Sequence, residues 1–249
     1  MPLFGTLDLQ TALTSAPTVD RLDPETWELP GAQVLQVTYE VREAPALAVT
    51  PPGLHPSIPP YAAFSVLRFP ESPVGSFHLA MVRLIVRAGI RPRGLLLAAF
   101  TENEQAAAAL EHGWGYTIGT AGVTLLRRHD RVRGTVSIGD AVVLDVSLRD
   151  PEPIAGSDLE LFDNLHLAKV AGQDPVIVQV DPTYAYKAAD RGGADLTTFD
   201  PEALGITGIE PVYKLIAVTC EADVELAAPR FVLDPTVPAY QGTHRLQPR

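Results

Sequence analysis

From Ala32 onward, apolar and β-branched residues recur in short runs punctuated by proline and glycine: QVLQVTYEV, PALAVT, AAFSVLRF, FHLAMVRLIV and RGLLLAAF. Runs of this length and composition read as strands. Their close spacing predicts a closed or nearly closed antiparallel sheet. The pattern changes once. Thr101-Glu102-Asn103-Glu104 has the form of a capping box, a hydroxyl residue three positions before a glutamate. It leads into QAAAALEH, strong helix formers, and Gly113 can supply a left-handed stop, so a helix is predicted over 101–112. Strand character returns in YTIGTAGVTLLRR and RGTVSIGDAVVLDVSLRD, with HDRV as the turn between them. GSDLELFDNLH is a candidate second helix, and DPVIVQVD and YKLIAVTCEADVELA read as the last strands. Residues 1–30 read as an N-terminal arm and 234–249 as a loosely held, Pro-rich tail. No repeat or linker divides the chain, so 1–249 is expected to form one α+β domain, mostly antiparallel β, with one prominent flanking helix.

Composition narrows the function. Of the 249 residues, 46% are hydrophobic and 20% charged, a globular balance. The net charge of −11 disfavours nucleic acid, which selects a basic face, and anionic membrane surfaces. The basic residues Arg127, Arg128, Arg131 and Arg133 flank an alternating pattern and read as a hairpin tip. No run approaches 18 apolar residues and the N-terminus lacks the form of a signal peptide, so a cytoplasmic protein is expected. The single cysteine, Cys220, sits in an apolar strand and reads as a buried thiol. No metal-ligand spacing, phosphate-cradling loop or nucleophile elbow appears, and no cofactor is expected. Amine chemistry has only Lys169, Lys187 and Lys214 to draw on.

The order of segments over roughly 39–226 resembles the acetoacetate decarboxylase superfamily. The residues that carry the likeness are TPPGLHP (50–56), RFPES (68–72) with VGSFHLA (74–80), TENEQAAAALEHGWGYTIG (101–119), NLHLAKV (164–170) and PVYKLIAVTCEADVEL (211–226). The resemblance implies a β-barrel, a homo-oligomer and a small-molecule substrate. It also implies a lysine whose depressed pKa lets a neutral amine attack a keto acid.

At the decisive positions the sequence departs from that pattern. Where the resemblance places the reactive lysine after a Tyr-Pro pair, the chain reads Tyr116-Thr117-Ile118-Gly119, with Ile118 in the lysine's place and Gly119 in that of its neighbour. The glutamate of the Gly-aromatic-x-Glu stretch becomes Leu79, a second glutamate falls near Ser65, and an arginine falls near Ala32. The resemblance therefore implies a cavity lined by Ser65, Phe77, Leu79, Trp114, Tyr116, Thr117 and Ile118. For the aromatic residues, core packing remains the competing account. His78 is the candidate acid or base, although period-2 alternation turns it away from Phe77 and Leu79. His112 suits the helix end; His166 has no carboxylate or second histidine near it in sequence. The expected function is binding of an apolar small molecule, with a cyclisation, isomerisation or elimination of secondary metabolism that forms no Schiff base. A non-catalytic ligand-binding or scaffold protein, and a decarboxylase or aldolase that has relocated its amine to Lys169 or Lys214, are the alternatives.

Overall fold

The computed structural model describes residues 3–246 except 90 and 173. In chain order its elements are α1 (Leu9–Ser15), β1 (Thr18–Val19), β2 (Trp27–Val41), α2 (Glu43–Val49), β3 (His55–Pro56), β4 (Tyr61–Phe69), β5 (Phe77–Arg87), β6 (Pro92–Thr101) and α3 (Glu104–Trp114). Then follow β7 (Ile118–Thr120), β8 (Gly122–Arg127), β9 (Arg131–Ile138), β10 (Ala141–Pro153), β11 (Asn164–Val170) and β12 (Val176–Val180). The last are β13 (Thr183–Phe199), β14 (Pro211–Leu226), β15 (Phe231–Leu233), α4 (Ala239–Gly242) and β16 (Thr243–Arg245).

The main sheet runs β16-β15-β12-β11-β6-β5-β4-β2-β14-β13-β10-β9-β8, antiparallel except where β11 meets β6. Among the described residues no ladder joins β8 to β16, so the path is open where a barrel, closed or nearly closed, was expected. The sheet nevertheless curls strongly, and β8 packs across β4, β5 and β6.

Its central strands are buried on both faces. Leu35, Val37, Phe64, Val66, Val82 and Leu84 point into one core. Their alternating neighbours Val34, Leu67, Phe77, Leu79 and Met81 point into a second, together with Leu110 and Trp114 of α3. Because side chains alternate with a period of two, one strand feeds both cores. That explains why these runs are almost continuously apolar.

Several local expectations are corrected. The PALAVT run is not a strand; residues 43–49 form α2. Ala and Leu favour a helix, and Pro45 falls in its first turn, where a missing N–H costs nothing. The cap of α3 is Asn103, whose side-chain oxygen accepts from the amides of Gln105 and Ala106, while Thr101 Oγ1 accepts from Asn103 N. The helix runs two residues past its expected end and stops at Gly115, which takes the left-handed conformation at φ 72°.

GSDLELFDNLH forms only a short 3-10 turn, Gly156–Asp158. The carbonyls of Glu160 and Phe162 are taken by the side chains of Gln36 and Arg83 instead of by helix amides. The polar 17-residue β13 has no counterpart among the predicted strands. The arm contains α1, capped by Asp8, and β1, which pairs with β11. The tail is held as well: Ala239 N donates to Gly53 O at 3.1 Å, and β16 pairs with β15. Residues 247–249 of that tail lie outside the described residues. Among the described residues no helix is long and apolar enough to cross a membrane.

The reassigned cap generates a measurable difference. Asn103→Ala removes two backbone hydrogen bonds at the start of α3 and is expected to cost about 1–2 kcal/mol in urea denaturation. Glu104→Ala, which would be equally damaging in a capping box, should cost only a few tenths of a kcal/mol.

Candidate active site

Between the second core and α3 lies an apolar cavity. Trp27 and Leu29 of β2, Leu67 and Phe69 of β4, and Phe77, Leu79 and Met81 of β5 form one side; Leu110, Val224 and Leu226 close another. Its polar wall is Tyr116, Asn164 and Tyr184. The free space is about 20 Å³, room for roughly one water.

The next inward position on β5 after Met81 is Arg83, 3% exposed. Its register with β6 shifts between Val82 and Arg83. Gly94 leaves room for its stem: a Cβ there would lie 2.8 Å from Arg83 Cδ. Nη1 donates to Phe162 O at 2.6 Å and to Asn164 Oδ1 at 2.7 Å. Nη2 donates to Gln36 Oε1 at 3.0 Å and to Ser65 Oγ at 2.6 Å. All four acceptors are neutral, and Nε–H has no protein partner. Burial pushes the guanidinium pKa down, yet arginine keeps its charge in proteins. A positive charge thus stands behind Asn164 of the cavity wall without a carboxylate bound to it.

That charge acts on its surroundings. Burial pushes Tyr116 up to about 12, opposed by Arg83 and by the Asn164 amide. Tyr184 is also pushed up by burial, with Arg83 opposing. His166, one inward position beyond Asn164 on β11, packs its ring edge-on to Tyr116 at 4.2 Å. Its Nδ1 lies 2.8 Å from Trp114 O. A carbonyl only accepts, so Nδ1 carries the proton and the buried Nε2 presents an unpartnered lone pair. Burial first, and then Arg83, lower the His166 pKa to about 4, although the bond to Trp114 opposes them. The imidazole is neutral.

Of the residues expected in the cavity, Phe77, Leu79 and Tyr116 line it. Ser65 stands behind it as an acceptor for Arg83. Trp114 is packing: its Nε1 donates to Ala227 O at 2.8 Å and its ring meets Trp27 edge-on. Thr117 lines a separate open groove beside α1.

Ile118 is half-buried against the same core but is not on the cavity wall. Tyr116, the residue after the left-handed Gly115, lines the wall as expected, whereas Ile118 at the start of β7 does not. His78 sits outside, its Nδ1 2.7 Å from Glu102 Oε1. Among the described residues no group of three His, Cys, Asp or Glu could hold a metal. Arg83, Asn164, Gln36 and Tyr184 were not anticipated. The available signal was a charge inside the doubly buried run MVRLIV.

No lysine reaches this space. Lys187 pairs with Asp223 at 2.6 Å on the surface, and Lys214 lies exposed, 3.7 Å from Asp195. Lys169 alternates with Ala168 and Val170, which belong to the cavity-side core, and so points to the other face of β11.

A curled, mostly antiparallel sheet enclosing a cavity beneath one helix defines the class, that of the acetoacetate decarboxylase fold. The chain belongs to the acetoacetate decarboxylase (ADC) family, whose model matches residues 13–235. Among solved structures it is similar to acetoacetate decarboxylase from Legionella pneumophila (TM-score 0.71, 16% identity, 84% of this chain and 88% of that one). It is also similar to the enduracididine biosynthesis enzyme MppR complexed with pyruvate (TM-score 0.67, 18% identity, 83% and 90%). A third similar structure is an acetoacetate decarboxylase-like enzyme from Sphingomonas wittichii RW1 (TM-score 0.60, 16% identity, 82% and 91%). No curated protein matches the chain by sequence.

The buried imidazole gives a pH prediction. In the unfolded chain a histidine takes up its proton near 6.5, whereas the folded His166 resists until about 4. The unfolded state therefore binds the extra proton across that window, and stability falls as pH drops from 6.5 to 4. The contribution is roughly 3 kcal/mol. Asn at this position keeps a donor toward Trp114 O but does not titrate, so denaturation of His166→Asn at pH 7, 5.5 and 4.5 should show a flatter loss than wild type.

Proposed function

We propose that the chain is an enzyme that takes a small, largely apolar carbonyl compound into the Trp27–Phe77–Tyr116 cavity and acts on it without forming a Schiff base. The observation that carries this reading is the composition of the wall. It holds ten apolar side chains of β2, β4, β5, α3 and β14, Pro182, and the polar Tyr116, Asn164 and Tyr184, and no amine. Arg83 behind it remains protonated and is no nucleophile.

A dry cavity with fixed donors at one end can hold a reactive conformer and stabilise charge that develops on an oxygen, with no covalent handle needed. Isomerisation, elimination or cyclisation of a carbonyl compound fits these means. Admission of a ligand requires wall side chains to swing aside, since the free space is about 20 Å³.

That same tightness favours a second reading, a scaffold protein that kept the family fold and filled its cavity with its own side chains. Ligand-dependent melting separates the two. An apolar carbonyl compound at about one hundred times its Kd should raise the melting temperature by roughly 5 °C, whereas a scaffold gives no shift with any of them.

Imine formation is tested directly. After borohydride reduction in the presence of acetoacetate or pyruvate, the intact mass should be unchanged. A mass gain mapped to Lys169, Lys187 or Lys214 would overturn the proposal in favour of relocated amine chemistry.

A further inference from the structure

The polar end of the cavity has a direction. An asparagine amide can face either way, and its neighbours decide which. Asn164 Oδ1 accepts from Arg83 Nη1 at 2.7 Å, and a guanidinium never accepts. The Asn164 oxygen is therefore turned to Arg83, and its NH2 is turned to the side where Tyr116 and the cavity lie. Tyr116 adds a hydroxyl on the same wall. Both groups are buried, Asn164 at 2% and Tyr116 at 3% exposure.

Arg83 itself offers no fork to a ligand. Its four Nη hydrogens are committed to Phe162, Asn164, Gln36 and Ser65. Bidentate capture of a carboxylate, the usual work of an arginine in a pocket, would require breaking at least one of those bonds even if the unpartnered Nε–H supplied the other donor. A carbonyl oxygen requires only donors, and those are present.

We infer that Asn164 Nδ2 and the Tyr116 hydroxyl, oriented by Arg83, form a donor pair for the oxygen of a neutral ketone or aldehyde, so that the cavity selects uncharged carbonyl compounds over carboxylates. The inference rests on the reading of this cavity as a ligand site. Arg83 is a positioning residue in it: it fixes the amide and places a positive charge behind the pair, where it acts on negative charge developing on the bound oxygen. No bond to the ligand is made or broken by the pair.

The test uses straight-chain methyl ketones of five to nine carbons, labelled with 13C at the carbonyl, and the carboxylates of equal length. The measured quantities are the dissociation constant and the 13C carbonyl shift on the full chain. The ketones are expected to bind at least tenfold more tightly than the matched carboxylates, and their carbonyl resonance to move downfield on binding. Asn164→Asp keeps an oxygen for Arg83 and removes the amide donor. It should weaken ketone binding about tenfold and abolish the downfield shift. Tyr116→Phe, which alters no contact of Arg83, should give a smaller loss in the same direction.

Tighter binding of the carboxylates, or ketone binding and a carbonyl shift that both variants leave unchanged, would overturn the donor pair while leaving the cavity a ligand site. Absence of binding by every ketone and every carboxylate would overturn the ligand-site reading itself, and the pair with it.

Discussion

One buried guanidinium organises the interior of this molecule. Arg83 lies at 3% exposure on the central strand β5, bound by a backbone carbonyl, an amide from β11, an amide from β2 and a hydroxyl from β4. Burying a charge is expensive unless its hydrogens are met, and here four of the five are met at once. The strap between β10 and β11 stays extended because its carbonyls face inward to Gln36 and Arg83. Arg83 fixes the orientation of the Asn164 amide, while burial, with Arg83 acting in the same direction, keeps His166 neutral. The apolar ring of Trp27, Leu67, Phe77 and Leu79 then seals this polar floor from one side.

The curled sheet and α3 enclose a cavity whose wall holds Tyr116, Asn164 and Tyr184, and the three lysines stand on other surfaces. A fixed cation held behind neutral donors differs chemically from a neutral amine. The amine attacks a carbonyl; the fixed cation can only stabilise charge that other events create. One fold can carry different sites, so what this cavity does follows from its own wall and floor.

Much of the fold was legible in the chain. The alternating and doubly apolar runs located β2, β4, β5, β6 and β14, and the alanine-rich segment located α3. The errors have physical causes. Residues 43–49 are as apolar as a strand, but Pro45 falls where a helix tolerates it, in the first turn. Asn103 outcompeted Thr101 as cap because its longer side chain also reaches Val74 O and Ser76 O. β13 is invisible to hydropathy because its residues face solvent along much of their length.

The site was half legible. Phe77, Leu79 and Tyr116 followed from the resemblance and line the cavity. Ile118 starts β7 beside β6 and packs against the same core without lining the cavity. Gln36, Arg83 and Asn164 lie far apart in sequence and are joined only by strand order, so no local motif announces them. Arg83 alone left a trace, a charge where both faces of a strand are apolar.

The dependence of the interior on Arg83 is tested most directly by equilibrium denaturation of Arg83→Met, a replacement of similar length without hydrogen-bond donors. Four buried acceptors lose their partner in that variant, and the account predicts a loss of more than about 3 kcal/mol relative to the wild type. A variant as stable as the wild type to within about 0.5 kcal/mol, or more stable as some apolar replacements of buried ionic groups are, would show that the guanidinium is not the organising interaction.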